Sequence, residues 1–356
     1  MERTDVLLVG AGPIGIELAV HLAREGFDYL HVEADQVGAT IAWYAPFTRF
    51  FSSPERIAIA GVPLQTIDQG KATREEYLAY LRAVVQQFDL DISTGERVVG
   101  VERGPDGGFL VRTDRLGVER RIEARRLVLA IGDMHRPRLL GIPGEDLPHV
   151  SHYLEEPHVY FRRRVLIVGG KNSAVEAAIR CRRIGAEVIL SYRGDELDAE
   201  RIKYWLMPEI RAMVRDGGIE FLPRTVPRQI LADQVILERR PEGSTPDAGP
   251  DETTGEAVEV AADRVLLLTG YAQDPTLFQT LGLELEGPGL RPRLDEATME
   301  SSVPGVYVAG TAVAGTQLGG VKHFIETSHV HVERIVAHLA GHRSAAAAPT
   351  YELPES

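Results

Sequence analysis

The sequence predicts an α/β protein with two doubly wound units, the second inserted into the first. Apolar strand-like runs alternate with helix-like segments along the chain. A strand, a turn of small residues and a helix occur in this order twice, at "VLLVGAGPIGIELA" (6–19) and at "RVLIVGGKNSAVEAA" (164–178). A late buried strand, "GVYVAG" (305–310), then returns the chain to the first unit.

The composition limits the possible partners of the chain. Hydrophobic residues make up 44% and charged residues 26%, as in soluble globular proteins. The net charge of −13 argues against nucleic acid or an anionic membrane as a partner. No apolar run reaches the roughly 18–20 residues of a membrane span. We expect no signal peptide before the first strand, which we place near Asp5, and therefore a cytoplasmic protein.

The single cysteine, Cys181, excludes an internal disulfide and a C-x-x-C redox pair. Its position on a helix behind a strand predicts a small core residue. His329 and His331 are two residues apart, so on a helix their side chains diverge. We therefore expect no metal site.

The first turn is predicted to bind a pyrophosphate. Free amides at the start of the following helix, which runs to about Arg24, favour a bound anion, and small residues allow close approach. The next strand, "YLHVE" (29–33), ends at Glu33, 18 residues after Gly15. A carboxylate there accepts hydrogen bonds from the ribose of FAD or NAD. The alternative for the turn is a tight turn that binds no ligand, and the alternative for Glu33 is a solvated acid at the end of a strand.

The second turn can be superposed on the first, with Lys171 in the place of the middle glycine. The position that matches Glu33 is Tyr192, followed by Arg193, and no acid stands there. Because a guanidinium suits a 2′-phosphate, this pattern predicts NADPH rather than NADH. Arg201 and Lys203 are possible helpers, and an ordinary surface arginine is the alternative for Arg193.

These patterns predict two Rossmann-like dinucleotide-binding domains, the NADPH domain inserted in the FAD domain. We place the FAD-binding domain at 1–157 and 267–343 and the NADPH-binding domain at 158–266. The polar stretch 241–256 is expected to be a hairpin tip between two strands, and 344–356 a disordered tail.

The order of these segments resembles that of the thioredoxin-reductase-like flavoproteins with two dinucleotide sites, over about residues 4–341. "LAIGDMHRPRLLGIPG" (129–144) is similar to their A-T-G segment. "VPGVYVAG" (303–310) is similar to their late FAD motif, although Thr311 stands where an aspartate usually follows.

Within that superfamily the chain resembles the bacillithiol-disulfide reductase family. The resemblance is carried by "FFSSPERIAIAGVPL" (50–64), by "LPHVSHYLEEPHVYF" with "VGGKNSAVEAA" (147–178) and by "KHFIET" (322–327). It implies a homo-oligomer, a dimer or a tetramer, and hydride transfer from NADPH to FAD and then to an external acceptor. In that family a cysteine follows Gly-Pro in the first turn as the suspected redox thiol, whereas this sequence has Ile14. We therefore predict electron transfer to a small-molecule or small redox-protein acceptor without a protein dithiol.

The turns and the resemblance together imply the cofactor contacts. Those to FAD are expected from Gly10, Gly12, Pro13, Ile14, Gly15, Glu33, Ala34, Phe51, Ser52, Val98, Ile131, Gly132, Gly310, Thr311, Lys322, Phe324 and Ile325. Those to NADPH are expected from Gly169, Gly170, Lys171, Asn172, Ser173, Tyr192, Arg193 and Lys203.

No catalytic residue is certain from the sequence. The last helix is expected to follow Gly319 and Gly320, with its N-terminus towards the flavin. His323 and Glu326, three residues apart, are candidates for a proton relay, with surface or packing roles as the alternative. The resemblance also places the aromatic residues of 39–55 near the flavin, with core packing as the alternative, namely Trp43, Tyr44, Phe47, Phe50 and Phe51.

Three other functions remain open. A ferredoxin or flavodoxin reductase uses the same scaffold, and "FRRRV" (161–165) is the compact basic segment that an acidic carrier would need. A flavin monooxygenase is disfavoured because Gly144 and His149 are one residue too far apart for its linker fingerprint. A flavin-loaded sensor without turnover is the third.

Overall fold

The computed structural model describes residues 2–104, 106–243, 253–318, 322–342 and 344. The chain divides into two compact units. The first unit comprises the described residues of 1–43, 47–136 and 271–356, and the second those of 44–46 and 137–270.

The strands are β1 (Glu2–Val9), β2 (Tyr29–Glu33), β3 (Ile92–Thr94), β4 (Glu96–Arg103), β5 (Phe109–Arg115), β6 (Val118–Leu129), β7 (Arg136–Pro137), β8 (Val150–Ser151), β9 (Arg164–Val168), β10 (Glu187–Tyr192), β11 (Ile219–Pro223), β12 (Thr225–Ile230), β13 (Gln234–Arg239), β14 (Ala257–Ala261), β15 (Arg264–Leu267), β16 (Tyr271–Ala272), β17 (Leu285–Glu286), β18 (Arg291–Pro292) and β19 (Val306–Val308). The α-helices are α1 (Pro13–Arg24), α2 (Ala39–Ala42), α3 (Pro54–Ile57), α4 (Arg74–Gln87), α5 (Asn172–Arg183), α6 (Met207–Arg215), α7 (Thr276–Leu281) and α8 (His329–Leu339), and 3₁₀ turns occur at Pro157–Tyr160 and Gly310–Ala314.

The first unit is built on a seven-stranded sheet. Its strand order is β3-β2-β1-β6-β5-β4, and β19 also pairs with β6. Strands β1, β2, β3, β6 and β19 run parallel, whereas β4, β5 and β6 form an antiparallel meander. The end of β1 is a continuous buried apolar run, Val6–Val9, as expected for a parallel strand covered on both faces.

The second unit repeats the doubly wound pattern on a smaller scale. Its five-stranded parallel sheet has the order β11-β10-β9-β15-β8, and an antiparallel sheet β12-β13-β14 accompanies it. Helices α5 and α6 contribute apolar residues to the core, in which Cys181 is fully buried. The sequence prediction of a small core residue at this position agrees with the structure.

The compact units begin and end elsewhere than the predicted domains. Residues 137–157 fall in the second unit rather than the first, because β8 within them pairs with β15 at Val150 and Val265. The assignment of FAD to the first unit and NADPH to the second stays a prediction.

The last helix is shorter than the sequence predicts, since α8 begins at His329. Before it, the Thr327 hydroxyl accepts a hydrogen bond from Phe324 N at 3.0 Å, and the Ser328 hydroxyl donates to Phe324 O at 2.6 Å. These local bonds compete with helical ones and hold 324–328 as a turn. The expected helix start after Gly319 and Gly320 is therefore wrong, although these two glycines themselves lie outside the described residues.

Two further expectations fall partly outside the described chain. Strands β13 and β14, which flank the predicted hairpin tip 241–256, do pair antiparallel, but 244–252 are not described. Of the predicted disordered tail 344–356, only Ser344 is described. None of the helices within the described ranges is long and apolar enough to cross a membrane.

Candidate functional site

The first glycine turn joins β1 to α1. Gly10 has a φ of 103°, and its N–H donates to Val32 O at 2.8 Å. Gly12 caps α1 in an extended conformation, with φ −74° and ψ −178°, and Pro13 is the first helical residue. Because the cap is a glycine, no capping side chain satisfies the first amides of α1, and they remain available to an anion.

The space around the three glycines distinguishes a ligand cradle from a tight turn. A Cβ on Gly10 would lie 2.5 Å from Ala130 O, and a Cβ on Gly15 would lie 2.0 Å from Gly10 O. Close packing alone therefore requires these two glycines. A Cβ on Gly12 would meet no described atom within 4 Å. Open space in front of Gly12, at a helix N-terminus, fits a bound pyrophosphate.

Glu33, at the end of β2, is held by the backbone of the turn. Its Oε2 accepts from Ala11 N at 2.6 Å, and its Oε1 accepts from Asp35 N at 2.9 Å. Each carboxylate oxygen has a further lone pair, so an incoming ribose hydroxyl can still donate to it. The ribose contact itself stays a prediction.

His31 lies against the first turn, and the sequence analysis did not select it. It is 3% exposed, and its Nε2 lies 2.9 Å from Gly10 O. Burial lowers the pKa of His31 to about 4. The ring is therefore neutral at physiological pH, and Nε2 carries the proton because a carbonyl can only accept. No sequence signal marked it, since an inward-facing histidine in a strand resembles any core residue.

Two distant segments reach the same turn. A Cβ on Gly310 would lie 3.5 Å from the Cβ of Ile14, and one on Gly132 would lie 3.9 Å from Thr311 Oγ1. Ile14 itself is only 5% exposed. The structure thus brings together the predicted FAD residues of the first turn, the end of β6 and the segment after β19.

Gln273, also missed from the sequence, clamps two of these segments. Its Nε2 donates to Gly132 O at 2.9 Å and to Ala312 O at 3.3 Å, and the side chain is 3% exposed. Its Oε1 has no hydrogen-bond partner among the described residues. A buried amide oxygen left without a donor costs roughly 1–3 kcal/mol. Its position is thus compatible with a ligand or water that donates a hydrogen bond.

Near the end of β6, Asp133 and Gln317 hold the segment that carries His323. Gln317 Nε2 donates to Asp133 Oδ2 at 2.8 Å and to His323 O at 3.1 Å. Gln317 Oε1 accepts from the backbone N–H of Lys322 at 2.7 Å and of His323 at 3.0 Å. The single Gln317 side chain thus closes the loop onto the end of the strand.

Burial raises the pKa of Asp133, although the bond from Gln317 opposes the shift. Burial lowers the pKa of His323, and the charge of Asp133 opposes that shift. Both environments favour the neutral form. His323 and Glu326 precede α8, so they do not share a helix face. Their catalytic role stays a prediction.

The aromatic residues of the segment 39–55 differ in their environments. The ring of Phe50 packs against that of Tyr77, with centroids 4.5 Å apart, which favours a packing role. Phe47 is 71% exposed. Phe51 is half-buried, and its carbonyl accepts a hydrogen bond from Lys71 Nζ. Ser52 is buried.

The remaining predicted FAD residues of the first unit are partly exposed or on the surface. Ala34, Val98, Ile131, Phe324 and Ile325 are partly exposed, and Lys322 is exposed.

The second turn repeats the geometry of the first. Gly169 N donates to Ser191 O at 3.0 Å, and Val175 N donates to Lys171 O at 3.0 Å, as Ile16 N does to Gly12 O in the first turn. Lys171 caps α5 with φ −113° and ψ −172°. This extended conformation is open to any residue, so a lysine replaces the middle glycine without strain.

The end of β10 forms the rest of the predicted NADPH site. A Cβ on Gly170 would lie 2.2 Å from the ring of Tyr192, so this buried ring lies against the turn. Arg193 follows it and is exposed. Lys203 is 9% exposed, and its backbone N–H donates to Asn172 Oδ1 at 2.8 Å. Ser173, in the first turn of α5, is exposed.

Arg201, considered as a helper for the phosphate, already forms an ion pair. Its Nε lies 3.1 Å from Asp198 Oδ2.

The basic segment 161–165 lies at the amino end of β9. Arg182 and Arg183, at the carboxyl end of α5, add to the positive charge of the second unit and compensate the helix dipole. In parallel α/β sheets, nucleotides bind at the carboxyl ends of the strands. The segment therefore lies at the end of its sheet that is opposite to the end where a nucleotide is expected to bind.

Cys181 cannot serve as an active-site thiol in this structure. It is fully buried, and burial raises its pKa to about 12. A thiol in such a setting is protonated and inaccessible at neutral pH. Among the described residues no group of three histidine, cysteine or acidic side chains is placed to hold a metal ion.

Comparisons with known proteins agree with this geometry. The model of the pyridine nucleotide-disulphide oxidoreductase family matches residues 7–310. Bacilliredoxin reductase Bdr of Bacillus subtilis (strain 168) is 32% identical over 340 residues, 96% of this chain and 98% of that protein. The solved structure of bacillithiol disulfide reductase Bdr from Bacillus cereus matches with a TM-score of 0.86 at 31% identity, and the match covers 95% of this chain and 99% of that chain.

A third relative represents another activity. The ferredoxin–NADP reductase of Ignicoccus hospitalis is 29% identical over 316 residues, 86% of this chain and 89% of that protein.

Proposed function

The chain belongs to the pyridine nucleotide-disulphide oxidoreductase family, and we propose that it reduces an external acceptor directly from FAD, without a thiol of its own. It is an NADPH-dependent flavoprotein oxidoreductase with the thioredoxin-reductase-like fold. The first glycine turn, from Gly10 to Gly15, would hold FAD, and the bound flavin would supply hydride and electron transfer between NADPH and the acceptor. The protein binds and orients the two cofactors and provides the local charge.

The environment of Ile14 and Cys181 carries this proposal. The first turn presents a buried isoleucine, which can neither attack a disulfide nor form an adduct with flavin. Cys181 is buried in the core of the second unit. Because the sequence has no other cysteine, the reaction must proceed without a protein disulfide intermediate.

The relatives support a disulfide as one class of acceptor. The two Bdr relatives are named for reduction of bacilliredoxin or bacillithiol disulfide. We propose that a disulfide of this kind, a quinone or a small redox protein accepts the electrons. For a disulfide, NADPH, one proton and RSSR give NADP⁺ and two RSH.

The ferredoxin–NADP reductase relative supports ferredoxin as a second candidate acceptor. The basic segment 161–165 does not add to it, because that segment lies at the amino end of its sheet. We further propose a cytoplasmic homo-oligomer with neither nucleic acid nor a membrane as partner. The acidic net charge supports the lack of a nucleic-acid partner, and the resemblance to the bacillithiol-disulfide reductases supports the homo-oligomer.

An anaerobic screen of acceptors tests the proposal. NADPH oxidation is followed with bacillithiol disulfide, other low-molecular-weight disulfides, quinones, ferredoxin and flavodoxin, with oxygen supplied in a separate aerobic assay. The wild-type chain and Cys181→Ala are compared. We expect the same best acceptor and rates within about twofold. Disulfide reduction that disappears with Cys181→Ala, while the variant keeps its FAD and fold, would contradict the thiol-free mechanism.

A further inference from the structure

A buried arginine lies behind the residue predicted to bind the 2′-phosphate. Arg240 follows β13 and is 2% exposed, and it is the largest of the fully buried side chains in the described part of the chain. Its Nη1 donates to Arg193 O at 2.9 Å. No pattern in the sequence distinguishes Arg240, because it is one of two adjacent arginines in a polar stretch.

The backbone of Arg240 extends the same connection. Arg240 N donates to Arg224 O at 2.7 Å, and Arg224 N donates to Gly194 O at 2.9 Å. Arg224 has a φ of 54°, a left-handed conformation that a non-glycine residue adopts at a cost in free energy. Two successive carbonyls after β10, those of Arg193 and Gly194, are thus fixed from behind by the neighbouring sheet.

Arg193 adds a positive charge at the same place and is exposed at the end of β10. The charge of Arg224, in contrast, is paired with Asp195 at 3.5 Å. The Arg240 guanidinium is shielded from water, so its charge is screened less than that of a surface arginine. It both orients the peptide that carries Arg193 and contributes a fixed positive charge.

We propose that Arg240 is a positioning residue that sets the preference of this enzyme for a 2′-phosphorylated nucleotide. The proposal rests on the proposed use of NADPH by the second unit. Arg240 acts through the Arg193 carbonyl and through its charge, and no direct contact with the nucleotide is required.

The test measures binding of NADP⁺ and NAD⁺ to the oxidised holoenzyme by calorimetry, since these ligands differ only in the 2′-phosphate. For Arg240→Gln we expect NADP⁺ to bind at least about tenfold more weakly, the equivalent of one hydrogen bond from a charged group. NAD⁺ should change by less than about twofold. Arg240→Lys, which keeps the charge but loses the planar fork, should weaken NADP⁺ by about threefold.

Arg239→Gln is the matched control. Arg239 is the preceding residue, and its guanidinium pairs with Glu256 at 3.0 Å on the surface. This variant should bind both nucleotides as the wild type does.

The outcomes separate this proposal from the proposed function. Equal weakening of NADP⁺ and NAD⁺ in Arg240→Gln, or no weakening at all, overturns the role of Arg240 while the NADPH preference of the wild type stands. A wild type that binds both nucleotides equally overturns the NADPH preference itself and this proposal with it. If Arg240→Gln does not fold, Arg240→Lys decides, and a wild-type ratio of the two affinities overturns the proposal.

Discussion

Gly12 offers the sharpest test of the first cradle, because its role in binding can be separated from any role in folding. The residue has φ −74° and ψ −178°, a conformation that every amino acid adopts, and a Cβ there meets no described atom within 4 Å. Alanine at such a position typically raises stability by about 0.4–1 kcal/mol. The apoprotein with Gly12→Ala or Gly12→Val should therefore fold as well as the wild type.

FAD binding should respond in the opposite direction. A side chain at Gly12 occupies the space in which the backbone meets the pyrophosphate. Each amide–phosphate hydrogen bond that is lost costs roughly 1.5–3 kcal/mol, or about a 10- to 150-fold loss of affinity. Gly12→Ala should bind FAD at least about tenfold more weakly, and Gly12→Val should be purified without yellow colour.

The assay combines flavin absorbance of the purified protein, titration of the apoprotein with FAD, and urea unfolding of the apoprotein. Gly15→Ala is the structural contrast, since its Cβ would lie 2.0 Å from Gly10 O and should destabilise the apoprotein as well. Gly104→Ala, whose Cβ would make ordinary contacts at 3.6 Å in another part of the first unit, should change neither property. A folded Gly12→Val protein that retains a full complement of FAD would refute the cradle.

Two further predictions concern charged side chains. Arg193→Ala should weaken NADPH binding by about 10- to 150-fold and leave NADH nearly unchanged; a wild-type ratio of kcat/KM for the two nucleotides would show that Arg193 does not bind the phosphate. His329 Nδ1 lies 2.7 Å from Glu17 Oε2 and its Nε2 lies 2.9 Å from Arg56 O, so both nitrogens face acceptors and the imidazolium fits best. Burial lowers the pKa of His329, but the hydrogen bond and charge of Glu17 and the bond to Arg56 O together outweigh burial, and the net pKa is raised above 6.5. The stabilisation by the charged pair is then complete below pH 6.5 and is lost as the pH rises through the raised pKa. His329→Gln should therefore lower the free energy of unfolding, measured in urea, by about 1.5–3 kcal/mol at pH 6 and by clearly less at pH 9. Equal costs at both pH values would contradict the charged pair.

Local signals in the sequence were sufficient for the two turns and their strands. The glycine spacing, the apolar run of β1 and the acid at the end of β2 are properties of short segments, and a strand–turn–helix unit is built largely from contacts close in sequence. The contrast between Glu33 and Tyr192–Arg193 was readable for the same reason. The superposition of the two turns also appears in the structure, down to the hydrogen bonds Gly10 N–Val32 O and Gly169 N–Ser191 O.

The tertiary structure decided what no local pattern encodes. Gln273 contacts Gly132 and Ala312, and Arg240 contacts Arg193, across 141, 39 and 47 residues of chain respectively. Their side chains become polar partners of the site only when separate strands are assembled side by side. The start of α8 was also misjudged, because the hydroxyl groups of Thr327 and Ser328 hold a turn where we expected the helix to have begun already. Sequence periodicity reports which face of an element is buried, whereas the partner across that face is fixed by the packing of the whole unit.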